Sequence, residues 1–310
     1  MSPVQAGRAE AIAAEARGGA VYDRGYRPYD GPRGRRGAAT FALYKASMRR
    51  ALGIRRSWRQ KVAPFALLGI VTIPAIVNVG IGYVTRDRFL SQRIQIISYR
   101  EYVGVSAALL LFVALVSPDV LCPDRRQHVL PLMFARPITG FDYVVAKLGA
   151  IATILFAFSF LPQVVLFVGN MLVSDSALNY FTGHLWVLWK VPAAVALLAI
   201  YYTVIGIAIS SLTDRRIVAG ASIIGLFLVT SISSAIFVGD FEFRGGSAAG
   251  LINVLRLPLY LRDLIFLTHI SPRSPLGGVN NGGLLAVVTY VVVLAVGVTV
   301  LLRRYRWVER

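Results

Sequence analysis

Six stretches of this 310-residue chain stay apolar for about the length of a bilayer crossing, and a backbone in lipid must satisfy its own hydrogen bonds. They cover residues 62–84, 102–116 (extending to Cys122), 144–173, 186–212, 217–238 and 283–302. A hydrocarbon core of about 30 Å takes about 20 helical residues at about 1.5 Å each. Five runs reach that length, and the second does so if Asp119 lies near the interface. Composition agrees, with 56% hydrophobic and only 15% charged residues. The expected fold class is an all-α membrane protein with six transmembrane helices.

Charge orients such a bundle. Fourteen of the 33 Lys and Arg precede the first run, which fits anionic lipid head groups better than nucleic acid. With six crossings, 24 basic residues fall on the side of the termini and 9 on the other. The positive-inside rule then places both ends in the cytoplasm. Trp186 and Trp189 beside Lys190 suit an aromatic belt at the outer interface. Residues 251–270 have the length of a seventh span but contain Arg256, Pro258, Arg262, Asp263 and His269. Each charge at mid-bilayer would cost about 2.5–3.5 kcal/mol, so a re-entrant or interfacial hairpin on the outer face is expected.

The flanking segments divide by pattern. Residues 1–39, rich in Ala, Gly, Arg and Pro, read as a basic, mostly disordered cytoplasmic tail. Within it Tyr22–Arg36, YDRGYRPYDGPRGRR, is either a docked extended strip or a solvated tail. Residues 40–61 read as an amphipathic interfacial helix, with Phe41, Tyr44, Met48, Leu52 and Trp58 at helical spacing among arginines. The six-span core is 62–302, and 303–310 forms a second basic tail. No apolar stretch occurs in the first 60 residues, so no cleavable signal peptide is expected.

Much chemistry is missing from the sequence. It contains no G-x-x-x-x-G-K-[ST] phosphate loop, no G-x-S-x-G, no H-E-x-x-H and no carboxylate pair within one apolar run. Three histidines and a single cysteine, Cys122, allow no disulfide, metal cluster or Cys/His nucleophile pair. Catalytic and metal-binding residues are therefore not expected, nor any cofactor in this chain. The run interiors hold uncharged polar groups such as Asn78, Gln163, Asn170, Thr230 and Ser231, which disfavours a gradient-driven carrier.

One segment is neither lipid-like nor an ordinary loop. Between the second and third runs lies DRRQHVLPLMFARPITGFDYVVAK, Asp124 to Lys147, with Pro123, Pro131 and Pro137 stiffening it into one or two short surface helices. Its ordered features are Asp124–Arg125, Leu130–Leu132, Arg136–Pro137–Ile138–Thr139, Asp142–Tyr143 and Lys147. With the six runs, the amphipathic helix and the hairpin, this segment resembles the permease subunit of bacterial type-2 ATP-binding-cassette (ABC) exporters. It departs from that pattern at His128–Val129, where the family often has Gly–Thr. Gly25–Arg33, GYRPYDGPR, is similar to a tail on some bacterial members.

The resemblance implies a coupling helix after span two that binds a separate cytoplasmic ATPase. Asp124, Arg125, Arg126, Gln127, Arg136, Pro137 and Asp142 would surround Val129, Leu132 and Met133 at that contact. ATP and Mg would be bound by the partner subunit, and a second permease copy or paralogue would complete the pathway. Ser106, Ser222, Thr230, Ser231 and Ser234 would line it, although small-residue helix packing explains them equally. The expected location is the bacterial inner membrane, with membrane lipids as further partners. A non-transporting scaffold and a secondary carrier are the alternatives.

Overall fold

The computed structural model describes residues 36–54, 58–84, 98–103, 106–134, 138–240, 247–272 and 274–306. The expected tail strip at 22–36 lies outside them except for Arg36, as do residues 307–310 of the C-terminal tail. The described residues are helical, without strands. In chain order the helices are α1 Arg36–Ala51, α2 Trp58–Val84, α3 Tyr99–Val103, α4 Ser106–Arg126, α5 Leu130–Phe134, α6 Gly140–Val173, α7 Ala177–Gly183 and α8 Val187–Ser210. They continue as α9 Arg216–Asp240, a 3-10 turn Ala248–Ile252, α10 Leu257–Leu267 and α11 Gly282–Arg306.

Six of these are long and apolar enough to cross a membrane: α2, α4 with the preceding α3, α6, α8, α9 and α11. The chain thus has the build of a multi-pass membrane protein. α4 and α8 are mostly buried within the bundle, whereas α2, α9 and α11 expose most of their apolar surface. Close approach is bought by glycine, since helices in lipid associate through packing. A Cβ at Gly206 of α8 would overlap Val113 and lie 2.7 Å from Ser117 Oγ on α4. At Gly169 it would meet Val79 Cγ1 at 2.7 Å, and at Gly297 Val204 Cγ1 at 2.6 Å.

Three boundaries differ from the sequence reading. The second span runs through Pro118 and Pro123 to Arg126, four residues beyond the Cys122 limit read from hydropathy. Each proline removes one helical N–H, which frees the carbonyl four residues earlier. The carbonyl freed by Pro118 is that of Ala114, and it faces Gly220 of α9, where a Cβ would lie 2.9 Å away. The helix survives because a neighbouring backbone covers the break. The amphipathic helix begins at Arg36 rather than residue 40 and ends at Ala51, where Gly53 turns the chain with φ 68. Trp58, expected within the amphipathic helix, opens the spanning helix α2.

The amphipathic helix also packs along α6. Tyr44 donates to Thr153 Oγ1 at 3.0 Å and lies against Gly149, while Met48 and Leu52 join the core. Residues 251–270 form no seventh span. The 11-residue α10 is only about 16 Å long at about 1.5 Å per residue, and irregular backbone precedes it. That backbone is tied down by adjacent tyrosines of α8: Tyr201 donates to the Val254 carbonyl at 3.0 Å and Tyr202 to the Leu255 carbonyl at 2.8 Å. Buried hydroxyls thereby replace the water that such carbonyls would otherwise need.

Gly206→Leu should overpack the α4–α8 contact and destabilise the protein by about 1–3 kcal/mol. Gly225, with open space beyond its Cα, should tolerate Ala with a gain of about 0.5–1 kcal/mol. Unfolding titrations in mixed micelles measure both.

Candidate functional site

The segment between α4 and α6 is organised around one buried carboxylate. Asp124, three residues from the end of α4, is fully buried. Its Oδ2 accepts from Lys147 Nζ of α6 at 2.6 Å and from the Tyr143 hydroxyl at 3.0 Å. Its Oδ1 accepts from the Arg50 guanidinium of α1. Lys147, itself only 2% exposed, also donates to the Val120 carbonyl at 3.1 Å and lies over the Tyr143 ring. The Tyr143 ring packs against Tyr305 of α11, with centroids 5.0 Å apart. Three helices therefore meet at Asp124, and α11 packs behind Tyr143. A buried ion cluster of this kind is costly to desolvate, and removing one partner costs more than the pairing itself gains.

The chain leaves α4 through a Schellman turn. The Val129 N–H donates to the Asp124 carbonyl at 3.2 Å and the His128 N–H to the Arg125 carbonyl at 3.1 Å. His128 adopts φ 50, the left-handed region where glycine is at ease. This is the position at which the sequence departs from Gly. The five-residue α5 follows, with Met133 half-buried against the core.

α6 then starts with a capping box. Thr139 accepts from the Asp142 N–H, and the Asp142 carboxylate accepts from the Thr139 N–H at 3.0 Å. Arg36 of α1 closes over both, its Nε 2.6 Å from Asp142 Oδ2 and its Nη2 2.8 Å from Thr139 Oγ1. Arg36 and its neighbours hold the carboxyl of Asp142 to this end of the helix, where a negative charge also suits the dipole.

Two further pairs brace the same end of the bundle. Arg125 Nε meets Asp214 Oδ1 at 3.0 Å, and its Nη1 donates to the Ser211 carbonyl beyond α8. Arg216 at the start of α9 meets Asp119 of α4 at 2.7 Å. Beside them a cavity of about 550 Å³ opens between α1, α2, α4 and α9, with Arg50, Asp119 and Arg216 facing Leu111, Leu115 and Ile224.

The expected docking residues thus separate. Arg126 and Gln127 are exposed, and Val129 and Met133 are half-buried. Asp124, expected on a polar rim, lies inside and its carboxylate is fully engaged. Arg125 and Asp142 are committed to internal ion pairs. Arg136 and Pro137 lie outside the described residues, as do the side chains of Leu132 and Ser106.

The expected pathway hydroxyls are dispersed. Ser222 is exposed, and Thr230 donates to the Leu226 carbonyl of its own helix at 2.8 Å. Ser231 donates to Asn253 Oδ1 and Ser234 to the Ala249 carbonyl, both at 3.2 Å, which ties α9 to the 3-10 turn. Sequence reasoning missed Arg36, Arg50, Asp214 and Arg216, whose roles depend on distant partners. Thr139-x-x-Asp142 ahead of an apolar run was a visible capping signal. Among the described residues no three His, Cys, Asp or Glu side chains gather as metal ligands. Compared with known proteins, the chain matches no family model and no curated protein.

Asp124→Ala should strand Lys147 and Arg50 and cost about 3–5 kcal/mol, while Asp124→Leu combined with Lys147→Met should recover most of that. His128→Gly should gain about 1 kcal/mol by relieving the left-handed backbone. Mixed-micelle unfolding of the variants tests both statements.

Proposed function

We propose that this chain is the membrane-embedded permease subunit of an ATP-driven transporter of the type-2 ABC exporter kind. The end carrying α1, α5 and the start of α6 would face the cytoplasm, in keeping with the basic excess there. A separate ATPase subunit would bind ATP and Mg and grip the exposed turn Arg126–Gln127 together with α5. The observation that supports this most is the anchoring of that connector to the Asp124 cluster. A displacement of α5 is not absorbed in a loose loop: Asp124 links it to α1, α6 and, through Tyr143, to α11. Such a rigidly connected element is what mechanical coupling requires.

Two chains would assemble around a common pathway, since α2, α9 and α11 leave broad apolar faces for lipid or a second copy. Nothing in the reading requires a catalytic group in this chain. The host membrane would be a bacterial inner membrane, with export as the direction.

Co-expression with a cognate ATPase tests the reading. The ATPase should be retained by the wild-type chain in detergent and lost from Arg126→Glu combined with Arg136→Glu. ATP-dependent flux should fall about tenfold or more in that variant and persist in the wild type when ion gradients are collapsed. Absence of any retained ATPase, or flux that follows the gradient instead of ATP, would overturn it.

A further inference from the structure

At the opposite end of the bundle, three arginines face a single carboxylate. Arg100 of α3, Arg256 before α10 and Arg262 within α10 line a cavity of about 420 Å³ together with Asp263, Tyr260, Ser271 and Ser274. Asp263 is 4% exposed and is already taken: Arg262 Nη2 lies 2.7 Å from its Oδ1, and Arg100 Nη1 lies 3.9 Å from the same atom. Arg262 also donates to the Arg100 carbonyl at 3.1 Å, which holds α10 to α3 and, with the two bonds to Asp263, fixes the Arg262 guanidinium plane. The Arg256 guanidinium has no hydrogen-bond or ion-pair partner among the described residues. The cavity therefore carries uncompensated positive charge with the Ser271 hydroxyl beside it.

From this arrangement we infer that the cavity binds a phosphate-type oxyanion. Guanidinium forks match the oxygens of such a group in pairs, and charge-assisted bonds of this kind are the strong ones. The Ser271 hydroxyl supplies a neutral donor in the same wall, while Ser274 and Tyr260 already donate to the Ser271 and Gly250 carbonyls. A second cavity of about 330 Å³ shares Leu255, Arg256 and Tyr260 with the first. Its other walls include Ala235 and Val238 of α9, a helix whose apolar face is open to lipid. An oxyanion at Arg256 therefore has room beside it for an attached apolar chain. The same phosphate chemistry comes from two sources, a phospholipid head group or a free phosphate compound, and the neighbouring cavity against α9 favours the head group. The inference stands apart from ATP-driven transport, since binding is read without nucleotide or partner.

The full-length chain in detergent serves as the sample, with short-chain dihexanoyl phosphatidylglycerol, dihexanoyl phosphatidylcholine and inorganic phosphate as probes. Binding is followed by thermal-shift titration. Phosphatidylglycerol should bind saturably, and Arg256→Gln should weaken it about tenfold, the scale of one charge-assisted bond. Arg256 is exposed, so the substitution leaves packing intact, and Arg303→Gln at the other end should change nothing. Inorganic phosphate competing at equal strength would identify a free oxyanion as ligand, and phosphatidylglycerol alone would identify the head group. Equal binding by the wild type and Arg256→Gln, or no preference for phosphatidylglycerol or phosphate over phosphatidylcholine, would overturn the inference.

Discussion

A carboxylate with no access to solvent must be paired, and Asp124 is paired with two cations and a phenol from two other helices. That requirement organises one end of the bundle. It sets where α4 ends, orients Lys147 inward from α6, and draws the amphipathic α1 against the spans. Arg36 at the other end of α1 repeats the device at the start of α6. The amphipathic helix is held at both ends by ion pairs and along its length by Tyr44, Met48 and Leu52. It packs against the bundle along one face.

The opposite end is built differently. Tyrosine hydroxyls from α8 hold the irregular backbone before α10, and Ser231 and Ser234 hold the turn before it to α9. Aromatic rings around Trp186 surround Lys190, which lies 5.7 Å from the Trp186 and Trp189 ring centroids and donates to the Phe266 carbonyl. One end thus carries a tightly paired ion cluster. The other carries arginines in excess of carboxylates, open to a ligand.

Hydropathy made the six spans legible because each must supply about 20 apolar residues, and no tertiary contact relaxes that demand. The charged segment at 251–270 was legible for the same reason in reverse. Boundaries were harder. Pro118 and Pro123 carry a local signal to stop, which is overridden where Gly220 lets α9 cover the freed carbonyl of Ala114. Charges were the least legible. Asp124, Arg125 and Asp142 resemble a solvated rim in the sequence, and their burial or pairing depends on Arg50, Lys147, Asp214 and Arg36, up to 106 residues away. Only the capping relation of Thr139 and Asp142 lay within local reach.

Cysteine labelling from each side of the membrane bears most directly on the proposal that the connector faces the compartment where ATP is found. Cys122 is the sole native thiol, and Cys122→Ala gives a clean background. In that background Gln127→Cys, at the exposed turn, should react with a membrane-impermeant maleimide in inside-out vesicles and remain unlabelled in right-side-out ones. Labelling of Gln127→Cys from the exterior would contradict the account, since no ATPase could then reach the connector.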